Sequence, residues 1–330
     1  MNILFYTNSK LRSKSLGGIE SLNLSLTQFL AKKNYKIYLA SICKRSFLKN
    51  KVNFIPIDNL KKNPNRYRFD IIIGSNDTTL YSYFDKSKKI LWLHNKLQIE
   101  KSLRKKNFFP INYHRPIAIF VSEYLKNKTS NLFLFKKKLV IPNFLTNDFL
   151  LNRVNLNRKK IFVWSVQREK GLDEVIKIWT DNIFVKDNSV KLFIFGINKK
   201  FSKTKLVYFK SKNIFFYGRV SKAQLKKTYK NSLAMICLGY DETFCLNALE
   251  ANACGLPIIT FAKTALKDYC RPNYNSIIAN DFNELENKIF YLLSLNKYKQ
   301  KKLIINSFNH SKKYHLKIIS KQWLNFFNNI

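Results

Sequence analysis

The feature that most constrains this chain is an alternation. Short apolar runs recur with helical patterns between them, stop near residue 146, and resume at 160. In the first half NILFYT (2–7), KIYLAS (36–41), NFIPI (53–57), DIIIGS (70–75), KILWLHN (89–95) and IAIFVS (117–122) read as strands. LVIPN (139–143) closes that series at Pro142-Asn143. Residues 19–33 place Ile19, Leu22, Leu26, Phe29 and Leu30 on one helix face. In the second half KIFVWS (160–165), VKLFIFG (190–196), NIFFYG (213–218), LAMICLG (233–239) and LPIIT (256–260) read as strands. Helices are predicted from about 171, 222, 245 and 281. Strands that alternate with helices build a parallel sheet covered on both faces. At 330 residues the chain exceeds one ordinary core. The predicted architecture is therefore α/β, with two tandem doubly wound domains facing a cleft. These are residues 1–145 and 160–310, joined by a polar linker at 146–159. A C-terminal helix, 311–330, presents Trp323, Phe326 and Phe327 on one face and can pack back on the first domain.

Ligands of open α/β sheets bind outside the carboxyl ends of the strands. Neither G-x-G-x-x-G nor G-x-x-x-x-G-K-[ST] occurs, which removes the usual dinucleotide and P-loop fingerprints. The five cysteines (Cys43, Cys237, Cys245, Cys254, Cys270) contain no C-x-x-C and are odd in number, so buried free thiols are expected rather than a disulfide framework or zinc site. His114, His310 and His315 share no metal-ligand spacing and are expected at the surface. No uninterrupted apolar stretch approaches the roughly 18 residues of a spanning helix. MNILFYTNSK lacks a secretion-signal pattern, so a cytoplasmic protein is expected.

The chain has 60 Lys and Arg against 20 Asp and Glu, a net charge of +40. A field of that sign attracts phosphate, whether in nucleic acid, anionic lipid or a phosphorylated substrate. Against this background two carboxylates stand out in ETFCLNALEANACG (242–255). Glu242 lies in the loop after an expected buried strand, and Phe244, Cys245 and Leu246 lie at the start of a helix that Gly255 and Pro257 end. Such a terminus offers unpaired N–H groups and a positive dipole to phosphate. Glu250 sits one to two turns inside, where it can accept hydrogen bonds from sugar hydroxyls. Spacing alone equally allows Glu242 as a dipole partner and Glu250 as a solvated helix residue.

ETFCLNALE resembles the E-x7-E motif of retaining glycosyltransferases with the GT-B fold, the family called group 1 or GT4. The stretch from NIFFYGRV (213–220) to LPIIT resembles that family's donor-binding half. GGIE (17–20) is similar to its glycine loop, REKGLD (168–173) to its phosphate-gripping segment, and VIPN (140–143) to its interdomain strand. The resemblance implies two Rossmann-like domains. It implies that Glu242 faces the transferred sugar and that Glu250 holds the nucleotide ribose. The N–H groups of Phe244, Cys245 and Leu246 would approach sugar and phosphates, and Val220 would line the base. Arg168 and Lys170 would offset the departing diphosphate. Many members carry Gly-Arg where this chain has Trp164-Ser165, so either Arg168 or Ser165 takes that place. Gly17 and Gly18 would close over the donor phosphate, or form a plain strand-helix turn. His94, at the end of ILWLHN, would contact donor sugar or acceptor. No D-x-D occurs, so no metal cofactor is expected.

Residues 101–116, KSLRKKNFFPINYHRP, interleave basic and aromatic side chains. That pattern suits nucleic acid, an anionic membrane interface, or an ordinary exposed loop. The resemblance favours the membrane and not nucleic acid. The expected partners are a nucleotide-sugar donor, a glycan or lipid-linked acceptor, and the inner face of a membrane. A nucleotide-sugar epimerase of the same architecture and a nucleic-acid-binding protein are the competing readings.

Overall fold

The structure is a computed structural model that describes residues 1–10, 16–197 and 201–330. The chain divides into two compact units, 1–146 with 316–330, and 147–315.

The first unit is built on eight strands: β1 (Asn2–Tyr6), β2 (Lys36–Ser41), β3 (Phe47–Lys49), β4 (Val52–Pro56), β5 (Ile71–Ser75), β6 (Lys88–Leu93), β7 (Ile117–Phe120) and β8 (Lys137–Val140). Their order is β3-β4-β2-β1-β5-β6-β7-β8. All neighbours are parallel except β3 and β4, an antiparallel pair in which Phe47 faces Phe54. Ile3, Leu4, Phe5 and Tyr6 are fully buried, as a strand covered on both faces requires. The helix Leu316–Asn328 completes this unit: Trp323 meets Trp92 at 5.0 Å between ring centroids, and Phe327 meets Tyr35 at 5.9 Å.

The second unit has six strands: β9 (Ile161–Trp164), β10 (Lys191–Phe195), β11 (Ile214–Gly218), β12 (Ala234–Ile236), β13 (Ile258–Thr260) and β14 (Ser276–Ile278). The order β11-β10-β9-β12-β13-β14 is wholly parallel. It is the doubly wound order that reverses beside its first strand. The expectation of two parallel α/β halves is met.

Several boundaries differ from the sequence reading. Residues 147–159 are packed into the second unit rather than strung out as a linker. Phe149 is buried against Tyr229, and the half-buried Arg158 donates to the carbonyls of Tyr229 at 2.7 Å and Cys254 at 2.8 Å. The helical tail is three helices, Phe282–Ser294, Lys297–Lys312 and Leu316–Asn328. Asp281 and Asn296 cap the first two through their side chains and so fix where each begins. Residues 101–116 form two short helices, Ile99–Arg104 and Phe108–His114, rather than a loop. His310 is buried, packed at 5.0 Å from Tyr269 and 5.9 Å from Tyr314, and burial lowers its pKa to about 4. Its place on the inner face of a helix overrides its polarity. Cys237, Cys245, Cys254 and Cys270 are buried and free.

Candidate active site

The point where the second sheet reverses direction lies between β9 and β12. The loops that leave their carboxyl ends carry Ser165 to Lys170 and Cys237 to Cys245. A 3-10 turn at Arg168–Lys170 ends in Gly171, whose φ is +102°. A Cβ there would stand 2.9 Å from Leu238 Cδ1 and 3.2 Å from Phe282 Cζ, so both conformation and space demand glycine. This turn directs Lys170 inward. Its Nζ lies 3.6 Å from Glu242 Oε1, and the two side chains are only 11% and 16% exposed. Burial raises the pKa of Glu242, and Lys170 works against the rise.

The helix Leu246–Ala253 follows, with Cys245 as its N-cap in the left-handed region at φ +63°. No acidic residue occupies its first turn. The N-terminal dipole is thus not offset from within the helix. The ring of Phe244 is buried against Tyr314 at 5.9 Å, so only its backbone can serve a ligand. Leu246 is half-buried at the first helical position. Glu250 lies further along the helix. Burial pushes its pKa up to about 7; Lys222 opposes this and Asp148 adds to it. Val220 is half-buried between Gly218, at φ +61°, and Ser221, which caps the helix Lys222–Asn231 through its side chain.

The two residues considered for the place of the usual arginine are both engaged. Arg168 donates to Asp173 through Nε and Nη2 at 2.8–3.0 Å. Ser165 Oγ shares a 2.6 Å hydrogen bond with Tyr229 Oη, while the Ser165 carbonyl accepts from Asn247 Nδ2. Sequence reasoning missed Asn247, Asp173 and Tyr229, because nothing in their local spacing marks which side chain they meet.

The first unit has its own reversal, between β1 and β5. A cavity of about 530 Å³ opens there, lined by Thr7, Ser9, Glu20, Ser75, Asn76 and Asp77 among others. Gly17 is the N-cap of the helix Gly18–Ala31 and has an ordinary φ of −69°. A Cβ there would meet only the carboxylate end of the flexible Glu20 side chain, which can move aside, so neither conformation nor space demands glycine at this position. His94 follows β6 and is 4% exposed, with its ring 4.4 Å from that of Trp92. Burial lowers its pKa to about 3, so the imidazole is neutral near pH 7. Asn76 Oδ1 accepts from the N–H of His94 at 2.8 Å and of Asn95 at 3.1 Å, pinning the loop that carries the histidine. The cavity's amides and hydroxyls escaped sequence reasoning because they come from separate strand ends.

Each sheet thus places its polar side chains where chain direction reverses, the arrangement of a nucleotide-binding α/β fold. Residues 151–310 match the family described as glycosyl transferases group 1. The chain is 27% identical over 232 residues to the uncharacterized glycosyltransferase MJ1178 of Methanocaldococcus jannaschii, covering 68% of this chain but 64% of that one. The match thus spans less than two thirds of that relative's length. Three solved structures share the fold over their full lengths. Sucrose-phosphate synthase of Thermosynechococcus elongatus aligns with TM-score 0.76 at 15% identity, covering 99% of this chain and 98% of that one. The lipopolysaccharide outer core galactosyltransferase WaaB aligns at 0.74 and 14%, and Anabaena HepE, in complex with UDP and glucose, at 0.74 and 15%; each pair is covered completely. Residues 151–310 thus carry a domain like that of the group 1 glycosyltransferases, and the chain as a whole has the GT-B fold of the glycosyltransferases it aligns with.

Proposed function

We propose that this protein is a retaining glycosyltransferase. It moves a sugar from a nucleoside-diphosphate donor to a glycan or lipid-linked acceptor in cell-surface polysaccharide synthesis, without a metal. The observation that carries the reading is the Lys170–Glu242 pair, half-sunk at the reversal of the second sheet and followed by an N-terminal helix end free of acids. The order of events follows from charge. As the bond between the anomeric carbon and the diphosphate breaks, the electron pair leaves with the phosphate. Lys170 and the N–H groups of Phe244, Cys245 and Leu246 stand at the developing negative charge, and a fixed cation and dipoles in a partly dry site act strongly there. Glu242, raised in pKa, faces the sugar. Glu250 accepts from the ribose diol, and Val220 lies against the base. The acceptor hydroxyl attacks from the face that the diphosphate leaves and gives its proton to the departing phosphate oxygen, which retains configuration.

Arg168 is the second cation if it exchanges Asp173 for phosphate; Ser165, held by Tyr229, is the weaker candidate. The cavity of the first unit, with Gly17 and Gly18 at its helix start and the neutral His94 on an adjoining strand end, is assigned to the acceptor side. Of the named neighbours, WaaB is a galactosyltransferase of lipopolysaccharide outer core and HepE binds UDP, which is why a UDP- or GDP-linked donor and a surface glycan are favoured here. The test is a thermal-shift screen against UDP, GDP, ADP, dTDP and their sugars. A ligand at a hundredfold excess over its Kd stabilises by about 3 kcal/mol. NMR of the product anomer and turnover in EDTA follow. An inverted anomer, or loss of transfer in chelator that Mg²⁺ restores, overturns the corresponding part of the proposal.

A further inference from the structure

The loop that carries Glu242 also brings two thiols together. Cys237 follows the end of β12 and Cys245 caps the next helix, and their sulfurs are 3.5 Å apart. The Sγ atoms of Cys237 and Cys245 and a carboxylate oxygen of Glu242 all lie within 4.8 Å of one another. Cys237 is 1% and Cys245 8% exposed, while Glu242 is half-buried toward the surface. All three donors come from one nine-residue stretch, 237–245, anchored by a central strand and by a helix whose N-cap residue, Cys245, is held in the left-handed region.

Sequence spacing concealed this group, since eight positions separate the cysteines and no C-x-x-C marks them. The geometry is that of a metal chelate. With Zn–S bonds of about 2.3 Å, two thiolates on a tetrahedral ion stand roughly 3.8 Å apart, and a thiolate and a carboxylate oxygen about 3.6 Å apart. The sulfurs are already within a few tenths of an ångström of that separation, and the carboxylate oxygen, within 4.8 Å of both, lies no more than about 1 Å beyond its own. The donor set selects the ion. Two soft sulfurs favour a thiophilic divalent cation, whereas Mg²⁺ and Ca²⁺ demand oxygen. The charges also close: two thiolates and one carboxylate carry −3, the cation returns +2, and the neighbouring Lys170 supplies the remaining +1. Three protein donors leave the fourth tetrahedral position for water.

We propose that Cys237, Cys245 and Glu242 form a site for a thiophilic divalent cation of the zinc and cadmium class, and that occupying it inhibits transfer. On binding, the two S–H bonds break, their protons leave to solvent, and two S–metal bonds and one O–metal bond form; no electrons change hands. The ion takes Glu242 out of its pairing with Lys170 and away from the sugar. The inhibitory half rests on the glycosyltransferase reading; the binding half does not.

The test uses the full chain, reduced and metal-free, titrated anaerobically with Cd²⁺ while the ultraviolet thiolate-to-cadmium charge-transfer band is followed. Zn²⁺ is measured by competition with a chromophoric chelator, and Mg²⁺ serves as the hard-cation control. The expected result is one Cd²⁺ per chain and no response to Mg²⁺. Removing a ligand costs more than the about ten- to hundredfold that outer-shell changes cost. Cys237→Ser should therefore weaken Cd²⁺ by about a hundredfold while nucleotide-sugar binding persists. Cys237→Ala is the second variant, and thermal melting establishes that each is folded; Cys43→Ser should bind Cd²⁺ like the wild type. Transfer should fall in step with cadmium occupancy in the wild type and resist cadmium in Cys237→Ser. No charge-transfer band at equimolar cadmium, or a band that survives both Cys237 variants, overturns the site. A site that fills while transfer continues overturns the inhibition. Cadmium binding by a chain that transfers no sugar leaves the site standing and refutes the function.

Discussion

Lys170 and Glu242 meet at 3.6 Å although 72 residues separate them, and they arrive from the two strands that flank the reversal of the second sheet. A cation and a carboxylate in partial burial hold each other's charge. Removing either leaves the other desolvated. Glu242→Gln should reduce kcat by about a thousandfold, on the scale of losing a key electrostatic group, with the Kd for free nucleotide changed little. Lys170→Met should lower kcat and also weaken the nucleoside diphosphate, by about 1.5–3 kcal/mol for a charge-assisted bond. Steady-state kinetics with calorimetry separates the two. Full turnover by Glu242→Gln would refute its assignment.

Glu250 predicts opposite pH trends for folding and binding. Burial raises its pKa from 4.5 to about 7, so the native state favours the protonated form. That contribution is fully present below about pH 4.5 and is lost as pH rises through 7, by at most about 3 kcal/mol. Binding of a ribose diol needs the carboxylate, so nucleotide-sugar affinity should strengthen over the same interval. Glu250→Gln should therefore be more stable than the wild type at pH 8 yet bind the donor less well. Denaturant melts and donor titrations at pH 6 and 8 measure both, and equal pH slopes in mutant and wild type would exclude the carboxylate.

Gly171→Ala should destabilise the second unit without touching any group assigned to chemistry. An L-residue at φ +102° with 2.9 Å to Leu238 costs about 1–3 kcal/mol. In a body of this size that is several degrees of Tm. Because the turn aims Lys170, kcat should fall in the molecules that remain folded. An unchanged Tm would contradict the geometry of the turn.

The aromatic and basic face of the first unit makes a prediction about membranes. Phe109 is 71% and Tyr113 82% exposed beside exposed Lys101, Arg104 and Lys106, while Phe108 packs on Phe133 at 5.5 Å. Of the aromatic side chains in this run, Phe109 and Tyr113 rather than Phe108 are therefore the ones placed to insert. Among the described residues no helix is long and apolar enough to cross a membrane. Each basic residue near an anionic surface contributes about 1 kcal/mol, screened by salt. The protein should sediment with anionic vesicles, release in high salt, and ignore neutral ones. Lys101→Glu with Phe109→Ser should reduce this binding, and Phe108→Leu should not. A wild type that ignores anionic vesicles would leave a soluble acceptor as the better reading.

The alternation of short apolar runs and helical faces carried the fold, because strands covered on both sides leave few alternatives. Boundaries were less legible. Leu238 and Gly239 continue the apolar run of β12 beyond its ladder, in which the Cys237 N–H still donates to the Ile259 carbonyl at 2.9 Å, since the loop turns there toward Glu242. The segment 147–159 looked like a linker, because Arg158 and Asn155 are polar, yet their partners Tyr229, Cys254 and Asn231 lie more than seventy residues away. The candidate residues of one stretch, Glu242 to Glu250, could be placed from the sequence on a loop and the helix that follows it, where the structure has them. Which side chain each base meets, Asp173 nearby for Arg168 and Glu242 from another strand's loop for Lys170, depends on the sign of φ at Gly171, which a glycine in a sequence permits but does not dictate.

The helix Leu316–Asn328 gives the first unit a discontinuous sequence. On the ribosome, residues 316–330 emerge only after the whole of 147–315. The second unit has all its strands and helices while the first still lacks the cover for Trp92. During that interval an indole face, and the tyrosine ring of Tyr35 that Phe327 will meet, remain open to water and to other chains. Synthesis therefore finishes the unit it began first only at the end, and a stop codon at Leu316 would spare Lys170, Glu242, Glu250 and His94 yet yield a chain prone to aggregate.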